Sequence, residues 1–105
     1  LIIQNNVGNR YSPTVIVAAI TSRMDKHPLP THVAISRKYG LQKNSMILLE
    51  QVRTIDKSRL KEYIGHLDSR DMRAVNISLK ISLDVEPEFD RIFLEEREKQ
   101  SMVIM

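Results

Sequence analysis

The sequence predicts a single, mainly β domain, a small antiparallel sheet or barrel followed by two short helices. Short runs rich in Ile and Val fill the first half of the chain, and clusters of turn-forming residues separate them. Apolar residues at helical spacing begin only after residue 56. A chain of 105 residues is long enough for one domain and too short for two comfortable cores.

The predicted strands are the short apolar runs. They lie at residues 1–4, 14–20, 31–36, 45–51 and 52–55. The segment "NNVGNRYSP" between the first two is dense in turn formers and predicts a turn. The segment "MDKHPLP" predicts a loop, because two prolines within three positions preclude a regular hydrogen-bonded ladder.

Two helices are predicted in the second half. The first carries four apolar residues at helical spacing, Leu60, Tyr63, Ile64 and Leu67, with Asp56 or Ser58 as its cap. The second begins at Asp68, which pairs with Asp71 in the manner of a capping box, and ends before Pro87. Its apolar face is Met72, Val75, Leu79 and Leu83. In the tail, Phe89, Ile92, Phe93 and Leu94 predict a short amphipathic helix.

Composition and motifs narrow the class of protein. The chain contains no cysteine, so neither disulfides nor a thiolate metal site is expected. No apolar run is long enough to cross a membrane. His27, His32 and His66 lack the spacing of a metal site, and the sequence has no glycine-rich phosphate loop. The residues therefore predict neither a metal nor a cofactor.

Charge is distributed unevenly along the chain, whose net charge is +3. Residues 1–84 carry 13 Lys and Arg against 7 Asp and Glu, whereas residues 85–105 carry 3 against 6. A basic body favours a polyanionic partner, and an acidic tail opposes one. A mixed solvated surface explains the same distribution without any partner.

Polar residues cluster where the predicted strands end. The clusters are Thr21-Ser22-Arg23, Pro30-Thr31-His32 and Glu50-Gln51 with Arg53. Hydroxyl, amide and guanidinium groups suit phosphodiesters and base edges, and strand ends often carry binding sites. Each residue also has a purely structural alternative. These are a strand end for Thr21, solvation for Gln51, a half-buried ring for His32 and a cross-strand ion pair for Arg53.

Three segments together resemble a known family. They are "LIIQNNVGNRYSPTVIVAAITSR" (1–23), "KHPLPTHVAI" (26–35) and "NSMILLEQVRTIDKSRL" (44–60). In this combination they resemble the MazF/PemK toxins, in the form found in Gram-positive bacteria, with Asn44 where the family has an aspartate. The motifs "VIVAAITS", "LPTHV" and "LLEQVRTIDK" are specific in combination rather than singly. The resemblance extends from Leu1 to about Leu83. It predicts a toxin domain at residues 1–84 and an acidic extension at residues 85–105.

The resemblance implies a cytoplasmic toxin of a type II toxin–antitoxin pair. Such toxins are endoribonucleases that cut single-stranded mRNA at short sequence motifs, independently of ribosomes, metal ions and other cofactors. The implied fold is an SH3-like barrel with helices that acts as a homodimer. A MazE-like antitoxin is the implied protein partner.

The resemblance also implies roles for individual residues. Thr21 matches the family's catalytic threonine, which we expect to orient the phosphate and stabilise its developing charge, because a hydroxyl is a poor general base. The expected RNA-binding residues are Asn5, Ser22, Leu29, Pro30, Thr31, His32, Glu50, Gln51 and Arg53. Gln51 suits a base edge, because its amide both donates and accepts. Asn5 equally suits a turn.

Two features depart from the family pattern. In the family, the catalytic arginine lies in an arginine–proline pair upstream of "LIIQNN", and a first strand also precedes that segment. The segment that begins at Leu1 therefore includes neither the arginine nor the first strand. We expect weak or absent cleavage from these 105 residues alone, because a barrel without one strand exposes an edge. The tail at residues 85–105 is either an ordinary extension or an acidic segment that lies in the basic RNA groove.

Two alternatives to an active ribonuclease stay open. A CcdB-like toxin shares the implied fold and binds DNA gyrase without cutting RNA, although the motifs "VIVAAITS" and "LLEQVRTID" argue against it. A non-catalytic relic that still binds antitoxin or RNA is favoured by the missing arginine. RNA cleavage separates both from the ribonuclease.

Overall fold

The computed structural model describes residues 1–24 and 27–85, and its centre is a three-stranded antiparallel sheet. The strands are β1 (Thr14–Thr21), β2 (His32–Ile35) and β3 (Ser45–Asp56), with β3 in the middle. Helix α1 (Asn6–Tyr11) precedes β1, and helix α2 (Ser69–Leu83) follows β3. Single turns of 3-10 helix lie at Arg37–Tyr39 and Lys57–Arg59.

The predicted mainly β fold with a C-terminal helix is confirmed, but the described sheet is open rather than closed into a barrel. The segments predicted as separate strands at 45–51 and 52–55 form one strand, β3. The strand predicted at 1–4 is reduced to an isolated bridge between Ile2 and Val17. Beside it, Ile3 N–H donates to the Ile16 carbonyl at 2.9 Å, which holds the N-terminal residues against β1.

The segment "NNVGNRYSP", predicted as a turn, contains the six-residue helix α1. Asn5 Oδ1 accepts a hydrogen bond from Gly8 N–H at 2.8 Å and caps the helix. Asparagine favours both turns and helix N-caps, because its side chain satisfies a nearby backbone N–H in either setting. The residue types of this segment therefore could not distinguish a turn from a short helix.

The helix predicted from residues 60–67 does not form, and that prediction was wrong. After the turn at 57–59 the chain runs to Asp68 without regular secondary structure. Of the four spaced apolar residues only Leu67 is buried, so a helix there has too little apolar contact to stabilise it. Gly65 passes so close to the Tyr39 carbonyl that a Cβ would collide with it. Packing against the 37–39 turn thus sets the path of this segment.

The second predicted helix is confirmed as α2. Asp68 caps it by accepting a hydrogen bond from Asp71 N–H at 2.8 Å. The helix ends at Leu83, where Asp84 adopts a left-handed conformation with φ of 54°. The last helical residue therefore lies four residues before Pro87, and the left-handed backbone at Asp84 ends the helix.

Helix α2 covers one face of the sheet and completes the core. Val75 is fully buried there, and Met72 and Leu79 pack against the core cluster. Leu83, predicted on the same face, is exposed. The core residues are Ala18, Val33, Ile35, Ile47, Leu49, Leu67 and Val75. The core therefore draws on all three strands and on α2.

Within residues 1–24 and 27–85, no helix is long and apolar enough to cross a membrane. The tail helix predicted from Phe89 to Leu94 lies outside the described residues, as does the rest of the predicted extension beyond Val85.

Candidate functional site

A groove of about 550 Å³ opens where β1 ends. Residues from β1, from the turn before β2 and from the middle of β3 line it. They are Ala19, Ile20, Thr21, Arg23, Leu29, His32, Leu48, Glu50 and Gln51. The groove thus combines apolar side chains with hydroxyl, imidazole, carboxylate, amide and guanidinium groups.

An irregularity in β3 brings its polar residues to the groove. Ala18 pairs with Val52, yet the next residue of β1, Ala19, pairs with Leu48. Leu49, Glu50 and Gln51 therefore have no partner on β1, and the strand bulges there. Leu49 is fully buried in the core, while Glu50 and Gln51 are exposed and line the groove. A bulge re-aims side chains in this way without ending the strand.

Thr21 is the last residue of β1 and lies half-buried at the groove's edge. Its Oγ1 accepts a hydrogen bond from Arg23 N–H at 3.1 Å. A hydroxyl has one proton to donate and two lone pairs, so this bond leaves the O–H of Thr21 able to donate to a ligand. The backbone turn after β1 therefore fixes the position of an available donor.

Glu50 is held by two side chains from the start of β2. Its Oε2 accepts from the Thr31 hydroxyl at 2.9 Å, and its Oε1 lies 2.8 Å from His32 Nε2. Burial alone raises the pKa of Glu50, but hydrogen bonds from its own backbone N–H, from His32 and from Thr31 outweigh burial and hold that pKa below its ordinary value. Glu50 therefore presents an ionised, pre-positioned carboxylate at neutral pH.

The His32 ring connects this carboxylate to the preceding turn. Its Nδ1 accepts a hydrogen bond from Leu29 N–H at 3.1 Å, so the ring proton is assigned to Nε2, which donates to Glu50. The His32 side chain is only 5% exposed. This low exposure agrees with the structural alternative of a half-buried ring that the sequence offered for His32.

The structure brings five of the expected residues together in the groove, namely Thr21, Leu29, His32, Glu50 and Gln51. Thr31 is bonded to Glu50 and belongs to the same cluster. Ser22 and Pro30 are exposed and directly adjacent in the chain to groove residues. The polar residues at the ends of the predicted strands therefore include most of the residues that meet at the groove.

Two expected residues lie outside the groove lining. Asn5 caps α1 through its bond with Gly8 N–H. Arg53 lies beyond the bulge, opposite Val17 on β1, and is exposed. Arg23 also lines the groove. The sequence placed it in the polar cluster at the end of β1, but not among the expected RNA-binding residues.

Three apolar strand residues that line the groove were also not identified from the sequence. Ala19, Ile20 and Leu48 read as strand residues, and which of them face a groove depends on the register at the bulge. Among the described residues, no group of three or more His, Cys, Asp and Glu is placed to hold a metal ion.

Fold and site together define the class of protein: a small β domain with a polar groove at the end of a strand. Similarity to known proteins identifies the family. Residues 1–83 match the family of PemK-like, MazF-like toxins of type II toxin–antitoxin systems. The chain belongs to this family. Two relatives are named endoribonucleases, which favours the ribonuclease over the gyrase-binding alternative.

Two relatives show how close the likeness is. The chain is 58% identical over 84 residues to the endoribonuclease MazF of Staphylococcus saprophyticus, covering 79% of this chain and 70% of that protein. It is 57% identical over 84 residues to the endoribonuclease EndoA of Bacillus subtilis, covering 79% of this chain and 72% of that protein.

Solved structures support the same fold. The Mycobacterium tuberculosis toxin MazF-mt6 has a TM-score of 0.75 at 25% identity, covering 83% of this chain and 86% of that chain. A mycobacterial endoribonuclease in complex with its cognate antitoxin has a TM-score of 0.73 at 25% identity, covering 83% of this chain and 81% of that chain.

Proposed function

We propose that the groove at the end of β1 binds single-stranded mRNA and that the toxin cleaves it at a short motif, without a metal ion. One observation carries the proposal. Thr21, Glu50 and Gln51 come from distant parts of the sequence and meet in one groove, in a chain whose relatives are endoribonucleases. The proposed site of action is the cytoplasm, where mRNA is found.

The proposed reaction uses the RNA's own nucleophile. The 2′-hydroxyl oxygen forms a bond to the adjacent phosphorus, and the bond from phosphorus to the 5′-oxygen breaks. The nucleophile loses its proton, and the leaving 5′-oxygen gains one. The products are a 2′,3′-cyclic phosphate and a 5′-hydroxyl end. Catalysis then requires alignment of the phosphate and stabilisation of charge on its non-bridging oxygens.

Thr21 is assigned to orientation and charge stabilisation. Its oxygen already accepts from Arg23 N–H, so its O–H is free to donate to a phosphoryl oxygen. A threonine hydroxyl is a poor general base at neutral pH, so Thr21 is not assigned the abstraction of the 2′-proton.

The bulge residues are assigned to the bases. The Glu50 carboxylate accepts hydrogen bonds only, which suits the exocyclic amino group of a base, whereas the Gln51 amide both donates and accepts. The apolar side chain of Leu29 offers contact to a base face. These assignments place base recognition beside the phosphate site, so the RNA lies along the groove.

The proposed protein partners are a second copy of the chain and a MazE-like antitoxin. A mycobacterial endoribonuclease of the same fold is described in complex with its cognate antitoxin, which supports the second partner. The non-catalytic relic predicts antitoxin binding without turnover, and the cleavage assay separates it from the toxin.

The test is cleavage of a long, sequence-diverse RNA in EDTA. We expect 5′-hydroxyl products at a short motif, a loss of about 10²-fold or more for Thr21→Ala, and partial activity for Thr21→Ser. Thr54→Ala is the matched control, because Thr54 is exposed on β3 outside the groove. Full activity of Thr21→Ala, or loss of activity in EDTA, overturns the proposed mechanism.

The assay uses two versions of the chain. One is the 105-residue chain, from which weak or absent cleavage is expected. The other is extended at its N-terminus with the family's first strand and arginine–proline pair. Cleavage by the extended chain alone supports the family mechanism. Absence of cleavage by both supports the non-catalytic relic.

A further inference from the structure

We propose that Arg23 supplies a cation that binds the RNA phosphate next to Thr21, in addition to the arginine that the family resemblance places upstream. The inference rests on the proposed function, since it concerns the same groove, but it assigns a residue that the family resemblance does not. It also distinguishes Arg23 from the other arginines of this chain by position.

The turn after β1 places Arg23 beside Thr21. Arg23 N–H donates to Thr21 Oγ1 at 3.1 Å, and both residues line the groove. A phosphate that accepts a hydrogen bond from the Thr21 hydroxyl therefore lies within reach of a flexible arginine side chain two residues away. The short turn makes the hydroxyl and the guanidinium parts of one local structure.

The charged side chains of the groove favour a phosphate at one end of the groove. Arg23 is the only Arg or Lys among the lining residues that the structure describes, and Glu50 is the carboxylate among them. Both oxygens of Glu50 are already bonded, to Thr31 and His32. Phosphate is repelled by Glu50 and attracted by Arg23, so it belongs at the Thr21 end and the bases belong at the Glu50 end.

The guanidinium of Arg23 is not engaged by a described acidic residue. Within residues 1–24 and 27–85, the close contacts between a basic and an acidic side chain are His32 with Glu50 and Lys38 with Asp68, and neither involves Arg23. Arg23 is also exposed. Binding a phosphate there breaks no ion pair with another described residue.

The other arginines considered from the sequence lie elsewhere. Arg10 belongs to α1, and its guanidinium carbon lies 5.6 Å from the centre of the Tyr11 ring. Arg53 lies opposite Val17, beyond the bulge. Neither Arg10 nor Arg53 lines the groove. The position of an arginine, rather than its residue type, therefore identifies the residue that binds the phosphate.

The chemistry of an arginine fits this position. A guanidinium stays protonated, donates several hydrogen bonds in one plane and matches two oxygens of a phosphate. Negative charge grows on the non-bridging oxygens as the 2′-oxygen attacks, and a charge-assisted pair strengthens with it. Arg23 therefore acts by electrostatic stabilisation and transfers no proton.

The test measures binding to a short single-stranded RNA whose 2′-hydroxyls are methylated, so that no cleavage occurs. Affinity is measured by fluorescence anisotropy over a range of salt concentrations for the unaltered chain, Arg23→Ala, Arg23→Lys and the control Arg10→Ala. We expect Arg23→Ala to bind about tenfold more weakly at low salt. Its salt slope falls by about 0.7, as for the loss of one phosphate contact to a single strand.

The remaining variants complete the test. Arg23→Lys keeps the charge and is expected to keep the salt slope, while Arg10→Ala is expected to bind as the unaltered chain does. Circular dichroism checks that each variant is folded. If the unaltered chain binds RNA and Arg23→Ala matches Arg10→Ala in slope and affinity, the assignment of Arg23 is wrong and the groove proposal stands. If the unaltered chain does not bind RNA, both proposals are overturned.

Discussion

The Nε2 atom of His32 lies 2.8 Å from Oε1 of Glu50, and the other ring nitrogen accepts from Leu29 N–H. One buried ring thus connects a carboxylate on the β3 bulge to the turn before β2. Two residues expected to contact RNA are therefore bonded to each other, and His32 is placed to position Glu50 rather than to reach a ligand itself.

We expect His32→Ala to lower the free energy of unfolding by about 2 kcal/mol, because it removes one of the two side-chain hydrogen bonds to Glu50 and leaves Leu29 N–H without its partner. His32→Gln restores a donor to Glu50 and is expected to recover part of the RNA affinity. The control is His66→Ala, since His66 is exposed and, among the described residues, its ring is bonded to the exposed Tyr63 hydroxyl. Urea unfolding and RNA binding are the measurements. A purely structural His32 would leave the affinity of the folded His32→Gln variant no better than that of His32→Ala.

Glu50 predicts a specific dependence of stability on pH. Its pKa in the folded chain lies below the ordinary value of 4.5, so it adds stability above that pH, and the contribution is lost as pH falls through the folded pKa. We expect Glu50→Gln to flatten the acid side of the stability curve, modestly, because the side chain is 34% exposed to solvent. Urea unfolding between neutral pH and pH 3 measures this, with the exposed Glu62→Gln as control. Equal curves for the two variants would contradict the assignment.

Asp68 is expected to stabilise α2 through its cap. The hydrogen bond from Asp71 N–H holds the pKa of Asp68 below its ordinary range. We expect Asp68→Ala to lower the melting temperature and to speed hydrogen exchange at the Asp71 amide, while Asp68→Ser keeps most of the protection. Asp56→Ala is a matched control, because Asp56 stands at the start of the 3-10 turn without a side-chain capping bond.

Leu49 couples the bulge to the core, because it is fully buried while its neighbours line the groove. We expect Leu49→Ala to cost about 3 kcal/mol of unfolding free energy through lost burial and a residual cavity. Leu60→Ala, at an exposed leucine, is expected to cost far less. Chemical denaturation measures both, and equal losses would show that the core lies elsewhere.

Gln51 is expected to influence which bases flank the cut. Gln51→Ala should alter the cleavage motif, mapped by sequencing the 5′-hydroxyl ends, while the ends themselves stay the same, because Gln51 is assigned to a base and not to the phosphate. Gln42→Ala is the control, since Gln42 is exposed and outside the groove. An unchanged motif for Gln51→Ala would remove Gln51 from base recognition.

Local signals in the sequence predicted the elements whose own residues stabilise them. The Ile- and Val-rich runs predicted β1 and β2. Helix α2 was predicted from the cap at Asp68 and from the spacing of Met72, Val75 and Leu79. The same local reasoning failed at residues 60–67, where the spacing was helical but only Leu67 is buried. Helical periodicity becomes a helix only when another element covers the apolar face.

The sequence by itself determined the family, the strand that ends at Thr21 and the residue types available to bind a phosphodiester. Only the tertiary structure decided which of those residues meet. The bulge in β3 sets which side chains face the groove, and hydrogen bonds between residues 18 or more positions apart join Glu50 to Thr31 and His32. The turn after β1 selects Arg23 over Arg10 and Arg53. Register and long-range hydrogen bonding depend on how strands pair, and no local pattern of residues encodes that pairing.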